Sequence, residues 1–267
     1  MSLTVNTNVA ALNAQRNLQA TENKLSMSME QLSSGLRINT AADDVAGYAI
    51  SQQMEGQIGG LNQANQNAQD AVALSQTAQG ALNETEQILQ RVRNLAVQYE
   101  NGTNSEADKE AITGEVEQLN EQIEKIAETT EFNGIKLLEG GEEITFQVGA
   151  NAKETITVEG VELMTEVGTI TELGEEGKGI EAVEEAIENV AKAAATFGSV
   201  QDRLQYTSSN LEVYGQNLSA ANSSIKDVNM AEAMTNFTQE QVLQQAGVAI
   251  LSQANSLPQA VLKLVNG

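Results

Sequence analysis

From Val183 onward every seventh residue is apolar: Val183, Val190, Phe197, Leu204, Leu211, Leu218 and Ile225. A second line, three residues ahead of the first, reads Ile180, Ile187, Ala194, Gln201, Ser208, Gly215 and Asn222, apolar at first and then small or polar. This spacing of three and four predicts one helix over 180–225 with one face buried against other helices. No proline interrupts it, and at about 1.5 Å per residue it would be roughly 70 Å long. Such a rod needs partners for its stripe, and the rest of the chain offers them.

Residues 1–34 predict a first helix, with Leu18, Leu25 and Leu32 one heptad apart, Asn6, Thr7 and Asn8 as capping candidates and Gly35 as a stop. After the connector 36–43, with Asp43 or Asp44 as cap, residues 44–100 read as a second helix. Its two apolar lines include Met54, Ile58, Leu61, Val72, Leu82 and Leu89, and Leu74, Ala78, Ala81, Ile88, Val92, Leu95 and Tyr99. Gly56, Gly59 and Gly60 interrupt it at a cost of about 1 kcal/mol each relative to Ala, which suggests a close approach or a bend there. A third helix, 105–129, carries Ile112, Val116, Leu119, Ile123 and Ile126 behind a Ser105/Asp108 capping box.

Past the Phe132-Asn133-Gly134 turn the period drops to two. Residues 143–148 and 154–158 alternate around Gly149-Ala150-Asn151, which predicts a β-hairpin. Residues 159–178 suggest one or two short strands at most. A last helix, 227–267, repeats Leu243, Ile250, Leu257 and Leu264 at intervals of seven, with Gly247, Ala254 and Val261 alongside; Pro258 is expected to bend or interrupt it. The fold class is therefore mainly α: an elongated antiparallel helical bundle or coiled coil with a small β-hairpin region, the N- and C-terminal helices paired at one end. Its divisions are a terminal helix at 1–43, a core domain at 44–226 and a second terminal helix at 227–267.

Charge changes the picture more than composition does. The net charge is −23, and residues 100–190 alone hold 24 acidic and five basic side chains. Both ends are nearly neutral, and charge-poor apolar surface is what the centre of an interface requires. The terminal stripes therefore predict burial against other copies, and identical contacts that do not close on themselves give a helical filament. The acidic middle is expected on the outside, since burying so many unpaired charges is prohibitive.

The 267 residues contain no Cys and no His, which removes disulfides, thiolate chemistry, the commonest general base and the commonest metal ligand. Acid pairs such as Glu142-Glu143 and Glu184-Glu185 read as solvated surface. No catalytic residue, cofactor or metal site is expected. No basic patch suits nucleic acid, no run suits a membrane span, and no signal peptide is legible at the N-terminus. Asn101-Gly102-Thr103, Asn222-Ser223-Ser224 and Asn236-Phe237-Thr238 fit the N-glycosylation pattern, which is short enough to arise by chance.

Several runs together resemble one family. NTNVAALNAQRNL at 6–18, LSSGLRINTAADDVAGYAIS at 32–51, LQRVRNLAVQ at 89–98, EFNGIKLL at 131–138 and ITFQVGAN at 144–151 resemble bacterial flagellins, as do IKDVNMAEAMTNFT, ILSQAN and LPQAVLKLV near the C-terminus. The resemblance spans almost the whole chain. It implies a structural, non-enzymatic subunit of the flagellar filament, a helical homopolymer that drives motility. The terminal helices, with Leu18, Leu25, Leu32, Leu243, Ile250, Leu257 and Leu264, would form its inner layers, and the large outer domains of many flagellins would be missing. It further implies an extracellular location reached without a cleaved signal, an export chaperone at the C-terminal helix, and cap and hook-junction partners. Gln90, Arg91, Leu95 and Glu115 map by motif position onto the family's protofilament contact, which the vertebrate flagellin-recognising Toll-like receptor also reads. The alternative is a hook–filament junction protein, which would resemble flagellins chiefly at its two ends.

Overall fold

The computed structural model describes residues 8–140, 143–168 and 178–265, with side chains as far as Ser256. In chain order the elements are α1 Val9–Ser34, α2 Val45–Tyr99, α3 Glu106–Thr129, β1 Glu131–Phe132, β2 Ile135–Lys136, β3 Glu143–Gln147, β4 Thr155–Glu159, α4 Leu163–Val167, α5 Lys178–Lys226 and α6 Met230–Val265. The chain divides into two compact units, residues 57–217 and residues 1–56 with 218–267.

The unit of residues 57–217 holds a continuous apolar core. The heptad line of α5 is its spine: Val183, Val190, Phe197 and Leu204 are almost fully buried. Leu74, Leu82, Leu89 and Val92 of α2 and Ile112, Val116 and Ile123 of α3 pack into the same cluster. Burying each such side chain contributes about 1.5–3 kcal/mol relative to leaving it exposed. The Ser105/Asp108 capping box of α3 is formed. The Ser105 hydroxyl, and after it the Ser105 backbone N–H, hold the Asp108 carboxyl below the usual range.

Two hairpins close this unit. β1 and β2 pair through a two-residue turn in which Asn133 and Gly134 have φ of 52° and 81°, the left-handed pair that a type I′ turn requires. β3 and β4 pair antiparallel from Glu143↔Glu159 to Gln147↔Thr155, and Ile156 and Val158 face the core. Of Gly56, Gly59 and Gly60, only Gly60 serves a close approach: a Cβ there would lie 3.0 Å from that of Ala150, whereas Gly56 and Gly59 meet nothing within 4 Å. Of residues 159–178, where short strands were expected, 169–177 lie outside the described residues, and the described part after β4 forms the single helical turn α4. Leu163 and Val167 are both buried while Thr165 between them is exposed; a strand would put all three on one face, and a helix turns Thr165 away.

In the unit of residues 1–56 and 218–267, Asn8 caps α1 and Gly35 ends it at φ 74°. The connector that follows pairs with the one between α5 and α6: Arg37 N–H donates to Lys226 O at 2.7 Å and Val228 N–H to Gly35 O at 3.0 Å. Lys226 Nζ also reaches Glu55 at 2.6 Å. Asp43 accepts the N–H groups of Asn39 and Thr40, and it is Asp44 that caps α2, by accepting Gly47 N–H at 3.0 Å. The expected interruption at Pro258 does not occur, since α6 is helical from Met230 to Val265. The proline removes one bond of the ladder there, and the turns on either side continue.

Candidate assembly surface

α1 and α6 pair along their length with Cα atoms within 8 Å of one another. The α1 seam is Ala11, Ala14, Leu18, Thr21, Leu25, Ser28 and Leu32, all buried or half-buried at alternating steps of three and four. The α6 seam is Ala233, Phe237, Glu240, Gln244, Gly247, Leu251 and Ala254, with the same spacing and the same burial. Three contacts set an antiparallel register. Asn8 Nδ2 donates to Ala254 O at 2.7 Å, Leu18 Cδ1 lies 3.2 Å from where a Gly247 Cβ would stand, and Ser28 Oγ donates to Glu240 Oε2 at 2.7 Å. Alanine, glycine and serine let the backbones approach, at the expense of apolar depth.

The bulky side chains of this pair mostly face away. On α1 these are Val9, Leu12, Met27 and Met29, and on α6 Met230, Met234, Val242, Leu243, Val248 and Ile250; each is about half exposed or more. Leu18, Leu25 and Leu32 thus lie on the seam, while Leu243 at 50% and Ile250 at 59% exposure point outward. Leu257 and Leu264 lie on α6, but their side chains fall outside the described residues. Met234, Val242 and Val248 keep no strict heptad, and the seam residues Ala233 and Phe237 precede the lines that periodicity marks on α6, which start at Leu243 and Gly247. A scatter of aliphatic residues on a helix almost free of charge was the signal that could have found the first three.

The four receptor-patch positions divide. Arg91 donates from Nε at 3.0 Å and from Nη2 at 2.7 Å to Glu115 Oε1. The structure thus brings Arg91 and Glu115 together on the surface, linking α2 to α3. Gln90 Nε2 reaches Glu86 at 3.3 Å beside them. Leu95 does not join this surface: it is 2% exposed and belongs to the core. Positions four apart on a helix differ by about 40° around its axis, and here the edge of the buried face passes between Arg91 and Leu95. Leu95 therefore offers no apolar contact beside the Arg91 guanidinium on the folded surface. Arg93 makes a parallel contact, with Nη2 2.7 Å from Glu184 of α5.

A helical chain with an under-filled terminal pair and a long apolar outer face belongs to the class of self-associating structural subunits. Comparison makes the assignment particular. Residues 5–143 match the family described as "Bacterial flagellin N-terminal helical region", and residues 180–265 match "Bacterial flagellin C-terminal helical region". The chain is 45% identical over 269 residues to a flagellin of Halalkalibacterium halodurans, covering 98% of this chain and 99% of that one. It is 41% identical over 302 residues to a flagellin of Bacillus subtilis, with the same two coverages. The crystal structure of Bacillus cereus flagellin superposes with a TM-score of 0.51 at 30% identity, over 59% of this chain and 94% of that one. The chain belongs to the bacterial flagellin family.

Proposed function

We propose that this chain is the structural subunit of a flagellar filament, polymerising through the outer faces of α1 and α6. The observation that carries this reading is the row of half-exposed aliphatic side chains on the terminal pair, among them Leu12, Leu243, Val248 and Ile250. Apolar surface of this extent, with few charges between, is interface surface. Membership of the flagellin family supports a polymer of identical copies as the occupant. No helix among the described residues is long and apolar enough to cross a membrane. Family membership supports a polymer outside the cell, with a chaperone holding α6 before assembly and cap and hook-junction proteins at the polymer's ends. The acidic side chains of 100–190 that lie among the described residues face the outside of the tube. Arg91, Glu115 and Gln90 form a contact patch for a neighbouring subunit and, in the free subunit, for the Toll-like receptor, with Leu95 supporting it from beneath.

Seeded polymerisation followed by electron microscopy tests this reading. The unaltered chain is expected to give long tubes. Ile250→Lys is expected to give none while keeping the helical circular dichroism of the free subunit. Tubes of ordinary length and yield from Ile250→Lys would overturn the assignment of this face, and short capped polymers from the unaltered chain would favour the junction-protein reading.

A further inference from the structure

Two exposed asparagines among the described residues precede a glycine, Asn101-Gly102 and Asn133-Gly134, and they are held very differently. Asparagine is a thermolabile residue. The backbone nitrogen that follows it can attack the side-chain amide carbon, and a following glycine leaves that approach unhindered because it carries no Cβ. We propose that Asn101 is a site of spontaneous deamidation, and that Asn133 is protected for as long as its hairpin stays closed.

Asn101 lies just beyond α2, and its side-chain Oδ1 accepts the Thr103 N–H at 3.4 Å. That contact keeps the Asn101 side chain close to the two residues that follow it. Gly102 N–H donates to no described group in the hydrogen bonds around this loop, and a Cβ at Gly102 would meet nothing within 4 Å. The loop has no strand register to keep. Asn133, by contrast, sits at φ 52° beside Gly134 at 81°, between the pairs Phe132↔Ile135 and Glu131↔Lys136. Closing a five-membered ring there requires Asn133 to leave the left-handed region, which opens the turn. Ring closure at Asn133 therefore waits on local unfolding.

The step balances with water alone. Gly102 N gives its proton to hydroxide and bonds to Asn101 Cγ. The Cγ–N bond of the amide breaks, and ammonia leaves with a proton. Water then opens the cyclic imide at one of its two carbonyls, leaving aspartate or isoaspartate. Nothing is oxidised or reduced, and the chain becomes one unit more negative than its −23. The new carboxylate stands at the carbonyl end of α2, where the helix dipole disfavours it. A long-lived subunit therefore accumulates charge at the α2–α3 loop.

The experiment is incubation of the folded, full-length chain at mildly alkaline pH, followed by peptide mapping with mass spectrometry and enzymatic labelling of isoaspartate. Conversion at Asn101 is expected to run at least about tenfold faster than at Asn133, the ratio that a modest extra barrier imposes. In denaturant the two rates should converge. Gly102→Ala should slow Asn101 by about tenfold or more, and it adds no strain, because Gly102 does not occupy the left-handed region; circular dichroism checks its fold. Equal rates in the folded chain, no conversion at Asn101, or undiminished conversion in Gly102→Ala would each overturn the proposal.

Discussion

The two units bury their helices in opposite ways. In residues 57–217, Phe197, Leu204, Leu82, Leu89 and Ile123 are all at or below 1% exposure. Each is surrounded by side chains from other elements of the same unit. Along the α1–α6 seam only Ala14, Ser28, Ala233 and Ala254 are buried, and three of the half-buried seam positions, Thr21, Glu240 and Gln244, are polar. The first unit spends its bulky residues inward. The terminal pair mixes alanine, glycine and serine with Leu18, Leu25, Leu32 and Leu251 along its seam, and turns its methionines, Leu12, Leu243 and Ile250 outward. An interior of the first kind stabilises a single chain; a surface of the second kind gains most of its burial from something else. One sequence thus carries a finished core and a surface completed only by assembly.

That comparison is most easily broken by large-to-small substitution. Phe197→Ala should destabilise the free subunit by about 3–5 kcal/mol, since it removes a fully buried ring and leaves a cavity. Leu243→Ala should alter free-subunit stability by no more than about 0.5 kcal/mol while lowering polymer melting clearly. Denaturant titration of the free chain and thermal melting of the polymer measure both. Comparable effects of the two substitutions on the free subunit would erase the distinction.

Amide exchange sharpens the same contrast without mutation. The α1 and α6 amides are expected to exchange close to freely in the free subunit and to become protected in the polymer, because a shallow seam stabilises a helix pair weakly. The α2 and α5 amides around Leu82 and Phe197 should be protected in both states. Equal protection of Leu243–Ala254 in the two states would mean that the terminal pair is complete in the single chain.

A third test concerns the local caps of the core unit. Ser105→Ala removes the side-chain acceptor at the start of α3 and should cost about 1 kcal/mol. Asp108 has its carboxyl depressed by Ser105, so its contribution is fully present above the ordinary aspartate value and is lost as pH falls through the lower folded value. Ser105→Ala should therefore move the onset of acid unfolding of this unit to higher pH, as followed by circular dichroism. An unchanged acid limb would separate the cap from the titration. Salt provides a milder test of charge placement. If the acids of 100–190 repel between neighbouring subunits, polymerisation should improve from very low to moderate ionic strength.

Much of this was legible in the chain because single residues decide single features. Gly35 ends α1, Ser105 and Asp108 close a capping box, and the Val183-to-Leu211 line faces the core. What was not legible was which of two adjacent lines on α6 meets α1. Bulk favours the line of Leu243 and Ile250, but the partner selects the line of Gly247 and Ala254; at Gly247 a Cβ would already lie 3.2 Å from Leu18, so that crossing has no room for a large side chain. Leu95 is the opposite case: periodicity places it on an apolar line of α2 with Val92 and Tyr99, and the structure buries it there; it is the motif match beside Arg91 that puts it in a surface patch. The turn α4 was hidden by its glutamate-rich surroundings, since two apolar residues four apart are too short a signal to outweigh them.

The smallest expected effect on the fold, and the sharpest on partners, belongs to Arg91. Its guanidinium gives two donors to Glu115, at 3.0 and 2.7 Å, and both side chains are about half exposed. An exposed pair of this kind contributes about 0–1 kcal/mol, so Arg91→Ala should leave the helical content and denaturant midpoint of the free subunit almost unchanged. Leu95, though only four residues on, should behave oppositely: Leu95→Ala empties a core position and should cost about 2–5 kcal/mol. The two substitutions therefore separate a contact residue from a supporting one on adjoining faces of one helix. If the Arg91–Glu115 patch is read by a neighbouring subunit and by the receptor, Arg91→Ala should lower polymer melting and reporter activation together while the free chain stays folded. Arg91→Lys keeps the charge but loses the planar fork, and it should fall between the two. Normal polymer melting and normal activation in Arg91→Ala would reduce the residue to a tie between α2 and α3. Loss of helicity would instead place it among the residues that hold the core unit together, with Arg93 and its contact to Glu184 as the obvious counterpart.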